Sequence, residues 1–189
     1  HLVGSDKFKK NIALFVSETS SVKMNPWFVH LEQMDEIWVP SEHLWDSMSK
    51  DNINAVVKVV PHAFDMSKYN KKYTGMNNPT TDDTFKFYYI GDLNQRKNIE
   101  TILRCFHSEF DISEPVSLIL KVNKFGYSPE QISDHVDKIS TKVKSSLRMH
   151  QDVSEYKKLV IISDKTSDED ICSIHQNMDC FLCPTHGEA

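Results

Sequence analysis

The chain has 189 residues, 39% of them apolar and 26% charged, and a formal net charge of -5. That composition supports a packed core rather than disorder, and its acidic balance argues against nonspecific binding to nucleic acid or anionic membrane. No apolar run reaches the roughly 18 residues of a membrane span, and the opening HLVGSDKFKKN has neither an initiator Met nor the apolar centre of a signal peptide, so a trimmed start or the edge of a longer protein is expected.

In chain order, NIALFVS (11–17) reads as a strand, and PWFVHLEQM (26–34) as a short helix with Pro26 in its first turn, where a missing N–H costs nothing. DEIWVPS (35–41) is a second strand. Ser41 then suits the N-cap of a helix that places Leu44, Trp45 and Met48 on one face. VVKVVPHAFD (56–65) is a third strand, broken by Pro61. Residues 66–84 are polar and aperiodic, as in a linker or a working loop. The expected division is a first domain at 1–66, a linker at 67–84 and a second domain at 85–189.

The segment FKFYYIGDLNQRKNIETILRCF (85–106) predicts a buried strand, a turn at Gly91, a polar loop with Arg96 and Lys97, and a helix capped by Asn98. Ile99, Ile102, Leu103, Phe106 and Phe110 form its apolar face. VSLILKV (116–122) is the next strand, followed by the loop NKFGYSP and a helix over 130–148. KLVIIS (158–163) leads to a helix over 168–178, and DCFLCP (179–184) ends in THGEA. The strands are continuous apolar runs, the pattern of a parallel sheet covered on both faces. Alternation with helices predicts a doubly wound, Rossmann-like α/β fold.

Ligands of such sheets bind beyond the carboxyl ends of the strands. In the second domain that rule selects Gly91–Lys97, Lys121–Gly126, Asp164–Ser167 and Thr185–Glu188. Arg96 and Lys97 sit just before a helix N-terminus, whose dipole disfavours cations by about 0.3–1 kcal/mol, so an anionic ligand would relieve the mismatch. Gly91 suits a positive φ or a close backbone approach. Lys121, ending the apolar SLILK, is either a second anion contact or a lysine snorkelling to water. His30, His107, His135 and His175 fall on helices, at the surface or partly buried. Trp27, Trp38 and Trp45 suit packing better than sugar stacking. Cys180 and Cys183 read as thiols of a buried strand, since no second pair is spaced for zinc, and a reducing, cytoplasmic setting is expected. No metal-binding motif and no phosphate-binding glycine loop is present.

DEIWVPSEH, VVKVVPHAFD, FKFYYIGDLNQRKNIETILRCF, LILK and DCFLCPTHGEA follow the motif order of the family 4 glycosyltransferases, and over nearly its whole length the chain resembles them. The resemblance implies a GT-B architecture, two Rossmann-like domains facing across a cleft, here truncated at both ends. It implies transfer of a sugar from an NDP-sugar, with retention of configuration, without a metal ion or other cofactor, to an acceptor that could be a glycan, lipid or protein. By the same resemblance Gly91, Arg96, Lys97 and Lys121 would bind the donor diphosphate. Glu188 would match the first glutamate of the E-x7-E motif, which contacts the donor sugar. Asp92 stands where many members have Arg, and the second glutamate of the motif would lie past Ala189, so little activity is expected of these residues alone. Self-association through open sheet edges is a further expectation. Two rival readings are a non-catalytic Rossmann-like interaction module and a nucleotide-sugar epimerase of the same fold.

Overall fold

The computed structural model describes residues 6–73 and 83–187. The chain divides into two compact units, one running to Asp65 and taking in Gly187, the other spanning Met66–His186.

The first unit is built on β1 (Ile12–Leu14), β2 (Glu36–Val39) and β3 (Val56–Val59), a parallel sheet in the order β1-β2-β3. Its helices are α1 (Phe28–Leu31) and α2 (Glu42–Lys50). Ser41 caps α2 by accepting the Leu44 N–H. Leu44 and Met48 turn inward as expected, but Trp45 is exposed and the small Ser47 takes an inward position instead. Ala13, Phe15, Ile37 and Val39 pack with both helices on one face of the sheet. Coverage of both faces, expected from the apolar runs, is not found among the described residues here: Ile12, Leu14 and Val56 are exposed on the other face. At the centre of that face the Glu36 carboxylate binds Lys10, Lys58 at 2.6 Å and the Trp38 indole N–H at 3.0 Å. Those donors hold its pKa down at about 2.

The second unit opens with α3 (Met66–Tyr69), which lies within the stretch expected as linker. Lys68 pairs with Asp168 at 2.7 Å, and the Tyr73 N–H donates to Gln176 Oε1 at 2.9 Å, so residues 66–73 dock on the helix that carries those partners. The rest of the stretch, 74–82, lies outside the described residues. Then come β4 (Phe85–Asp92), α4 (Ile99–Glu109), β5 (Val116–Asn123), α5 (Pro129–Leu147), β6 (Leu159–Ile162), α6 (Asp168–Asn177) and β7 (Cys180–Phe181). All four strands are parallel, in the order β6-β5-β4-β7. Tyr89, Leu118, Leu120 and Val122 pack under α4 and α5, while Tyr88, Ile119 and Ile162 pack under α6, so this sheet is covered on both faces. α5 and α6 each begin in a capping box, Ser128 with Gln131 and Ser167 with Asp170. The strand order reverses between β4 and β7, which makes their carboxyl ends the topological switch point, the usual crevice for a ligand in an open α/β sheet.

Candidate functional site

The site at the switch point is assembled from the ends of β4, β5 and β7. Gly91 is not in a turn. It is the penultimate residue of β4, paired with Val122, and its φ is not positive. Its lack of a side chain makes room for Tyr89, whose ring carbon Cζ would lie 2.8 Å from any added Cβ and whose hydroxyl donates to the Asp92 carbonyl at 3.3 Å. The glycine therefore serves the packing of a buried tyrosine.

Arg96 and Lys97 lie in a short 3-10 helix, Gln95–Lys97, capped by the Asn94 side chain, which accepts the Lys97 N–H at 3.1 Å. Asn98 follows with φ 54°, in the left-handed region that Asn tolerates better than most residues. It stands at the N-terminus of α4, yet its side chain does not cap a backbone N–H. Instead its amide donates to the Pro184 carbonyl at 3.2 Å and its carbonyl oxygen accepts the Thr101 hydroxyl at 2.8 Å. The Arg96 carbonyl accepts the His186 N–H at 2.9 Å and the Thr185 hydroxyl at 3.3 Å. Three hydrogen bonds thus join the β4–α4 loop to the segment after β7, across about 90 positions of sequence. Asn94, Gln95, Asn98, Glu100, Arg104 and His186 line a polar depression of about 410 Å³ at the start of α4.

Lys121 does not snorkel. It is fully buried, paired between Ile90 and Ile162 in one row across the sheet, on the face covered by α6. Its ammonium donates to Asn123 Oδ1 at 2.7 Å. Asp164, two residues past the β6 partner, adds an opposing charge, but burial dominates and pushes the lysine pKa below its ordinary value. Asp92 pairs with Asn123 two rows further out and is exposed. Glu188 lies outside the described residues. The structure brings Gly91, Arg96, Lys97 and Lys121 to the carboxyl edge of one sheet, with Lys121 toward the α6 face and the 3-10 helix leading into α4. Sequence reasoning put Asn98 at the helix start and Asn94 and Thr185 within edge loops, but did not foresee the hydrogen bonds these three side chains make. Asn94, two residues before the RK pair, and Asn98, just after it, were the available signal, since Asn favours caps and the left-handed region.

A larger concavity of about 810 Å³ lies between α4 and β7, lined by Phe87, Phe106, Phe110, Leu182 and Cys183. Its lining is mainly apolar, with Thr101, Arg104, Ser108 and Glu109 contributed by α4, and it holds none of Gly91, Arg96, Lys97 and Lys121. Cys183, expected in a buried strand, is exposed there, and the four cysteines are all free thiols. Among the described residues no cluster of three or more metal-ligating side chains forms, and no helix is long and apolar enough to cross a membrane.

No protein-family model matches the sequence, and no curated protein matches it either. Solved structures do. A trehalose-6-phosphate structure from E. coli bound with UDP-2-fluoro glucose superposes with a TM-score of 0.60 at 10% identity, over 92% of this chain and 45% of that one. An α,α-trehalose-phosphate synthase (UDP-forming) from Burkholderia xenovorans in complex with glucose-6-phosphate gives 0.58 at 8% identity, over 84% and 42%. The N-terminal domain of a Candida albicans trehalose-6-phosphate phosphatase gives 0.55 at 15%, over 85% and 41%. The chain spans less than half the length of these neighbours. At such identities the likeness establishes the fold alone, which is an α/β, Rossmann-like architecture of the GT-B type.

Proposed function

We propose that this chain is part of a retaining glycosyltransferase, of the family 4 kind, that takes its sugar from a nucleotide donor. The second unit is the front of the donor-binding domain and the first belongs to the acceptor-side domain. The observation that carries this reading is Lys121, a fully buried ammonium at the ligand-binding edge of a parallel sheet. Burying such a charge costs several kcal/mol, on the order of 3 or more, unless a partner repays it, and an anionic ligand at the edge would complete what Asn123 and Asp164 begin. Arg96, Lys97 and the N-terminal N–H groups of α4 supply further positive potential. Support also comes from the neighbours: one is bound with UDP-2-fluoro glucose, and another is described in terms of glycosyltransfer with retention.

The chemistry follows from charge. When the bond from the sugar's anomeric carbon to the donor breaks, negative charge collects on the departing diphosphate. Fixed cations that hold this charge more tightly as it grows lower the barrier, and they fill the role that a metal ion fills elsewhere. Glu188 would contact the donor sugar. The acceptor would bind to the domain that the first unit belongs to.

Calorimetric titration of the 189-residue chain with UDP, GDP and ADP tests the reading. At least one should bind. Lys121→Met, Arg96→Ala and Lys97→Ala should each weaken binding about tenfold or more, the size of one charge-assisted contact. Equal affinities in wild type and all three variants would overturn the assignment.

A further inference from the structure

Phe125 is the most exposed large apolar side chain among the described residues, at 103%. It stands on the β5–α5 loop, four residues after Lys121, at the carboxyl edge of the sheet. An exposed phenylalanine forfeits its burial energy, and a chance exposure is usually found on a loose loop. This loop is fastened on both sides. The Asn123 carbonyl accepts the Leu93 N–H at 2.7 Å, which ties the loop's start to the β4–α4 loop. At the far end Ser128 closes the capping box of α5, with Pro129 in the first turn. Between them the Tyr127 N–H donates to the Lys124 carbonyl at 3.2 Å, closing a four-residue turn with Gly126 third at φ 80°. That is type II geometry, which demands glycine at this position, and no atom lies within 4 Å of a Cβ built there. The glycine is kept for the backbone alone, and the turn it permits holds Phe125 outward.

The second ring of the loop is already engaged. The Lys124 ammonium lies 4.3 Å from the centre of the Tyr127 ring, and His135 meets the same ring edge-on at 6.3 Å. Phe125 keeps both faces open. A rigid turn that presents one bare aromatic ring loses little entropy on stacking a planar ligand. β5 is the neighbour of β4 in the parallel sheet, so its loop leaves the same carboxyl edge as the β4 loop that carries Arg96 and Lys97. A nucleotide whose diphosphate sits at the switch point would run along this edge toward its base.

We propose that Phe125 is the stacking platform for the nucleobase of the donor, an inference that rests on the nucleotide-donor reading of the same edge. The test uses the 189-residue chain with two probes: UDP (or whichever nucleoside diphosphate binds best) and inorganic pyrophosphate, which has no base. Phe125→Ala should weaken nucleoside diphosphate binding about tenfold, within the range of one base–aromatic stack, and leave pyrophosphate unchanged. Phe125→Trp should restore the nucleotide affinity. Lys121→Met should weaken both probes. If Lys121→Met loses both probes while Phe125→Ala binds the nucleotide as wild type does, the platform is overturned and the donor site stands. If Phe125→Ala weakens both probes equally, the residue supports the fold and not the base, and the platform is again overturned. If wild type binds neither probe, the donor reading fails and the platform with it.

Discussion

His107 points inward from α4 with 1% of its surface exposed, and neither ring nitrogen has a hydrogen-bond partner among the described residues. The sequence placed it on a helix at the surface or partly buried, because nothing in the spacing separates a fifth inward position from a flanking one. Its ring lies edge-on to Tyr156 at 5.6 Å, with the Lys144 charge of α5 nearby, and His150 packs on Tyr156 beside Glu155. Burial, then Lys144, lowers its pKa from 6.5 to about 4. The folded chain therefore takes up this proton later than the unfolded chain as pH falls. The stability contributed is whole above about pH 6.5 and drains away as pH drops toward 4, by on the order of 3 kcal/mol over the whole interval. Urea unfolding at pH 7.5 and pH 5.0 should show His107→Leu at least as stable as wild type at the higher pH and losing less on acidification. Equal acid sensitivity in the two proteins would rule out His107 as the cause. Asn98 offers a second single-residue case. Asn98→Ala loses the bond to Pro184 and strains φ 54°, and should cost about 2 kcal/mol, whereas Asn98→Gly keeps the φ and should cost about half that. If the two variants lose stability equally, the bond that both lack, and not the backbone conformation, dominates at that position.

Capping decides how the elements of the second unit meet the candidate site. α5 and α6 both start right after the carboxyl edge, and each capping box fixes where its loop ends and its helix begins. Ser128→Ala should cost about 1 kcal/mol of stability and should speed hydrogen exchange in the first turn of α5 and in the Lys124–Tyr127 turn together. Faster exchange confined to the helix would mean that the turn holds itself. Elements of this kind were largely legible in the sequence. Helices over 98–110, 130–148 and 168–178 were expected, and α4, α5 and α6 fall within a residue or so of those bounds, because strong apolar periodicity marked their inward faces. α3 went unseen, since its four residues bury no side chain and draw their support from α6 a hundred positions away. Within the site, the cations were legible as residue types next to a helix start. Their scaffold was not, because Asn98 to Pro184 and Arg96 to His186 are contacts between distant segments that no local pattern encodes. Lys121 was legible as a candidate, but its burial depended on α6 covering that end of the row.

At the scale of the whole molecule, the two units differ in how fully their sheets are covered. The second unit buries both faces of four parallel strands, whereas the described residues of the first cover one face of three. Parallel sheets with a bare face are uncommon, since such strands are apolar on both sides. Here Ile12, Leu14 and Val56 remain exposed around the Glu36 cluster, with Leu14 at 63%. Apolar residues gathered on one sheet face drive association where scattered ones do not. This gives a sharper form to the expectation of self-association, which we propose arises at this face more than at an open strand edge. Leu14→Glu tests it, because the exposed site should tolerate the change within about 0.5 kcal/mol and the new carboxylate lies in the same row as Lys58. Light scattering across a concentration series should find wild type above its 21.9 kDa monomer mass at high concentration and Leu14→Glu closer to it. A wild type that stays monomeric throughout would count against association by any surface. A variant that associates as strongly as wild type would move the contact away from this face, to the free edge of β7 and the apolar groove beside it.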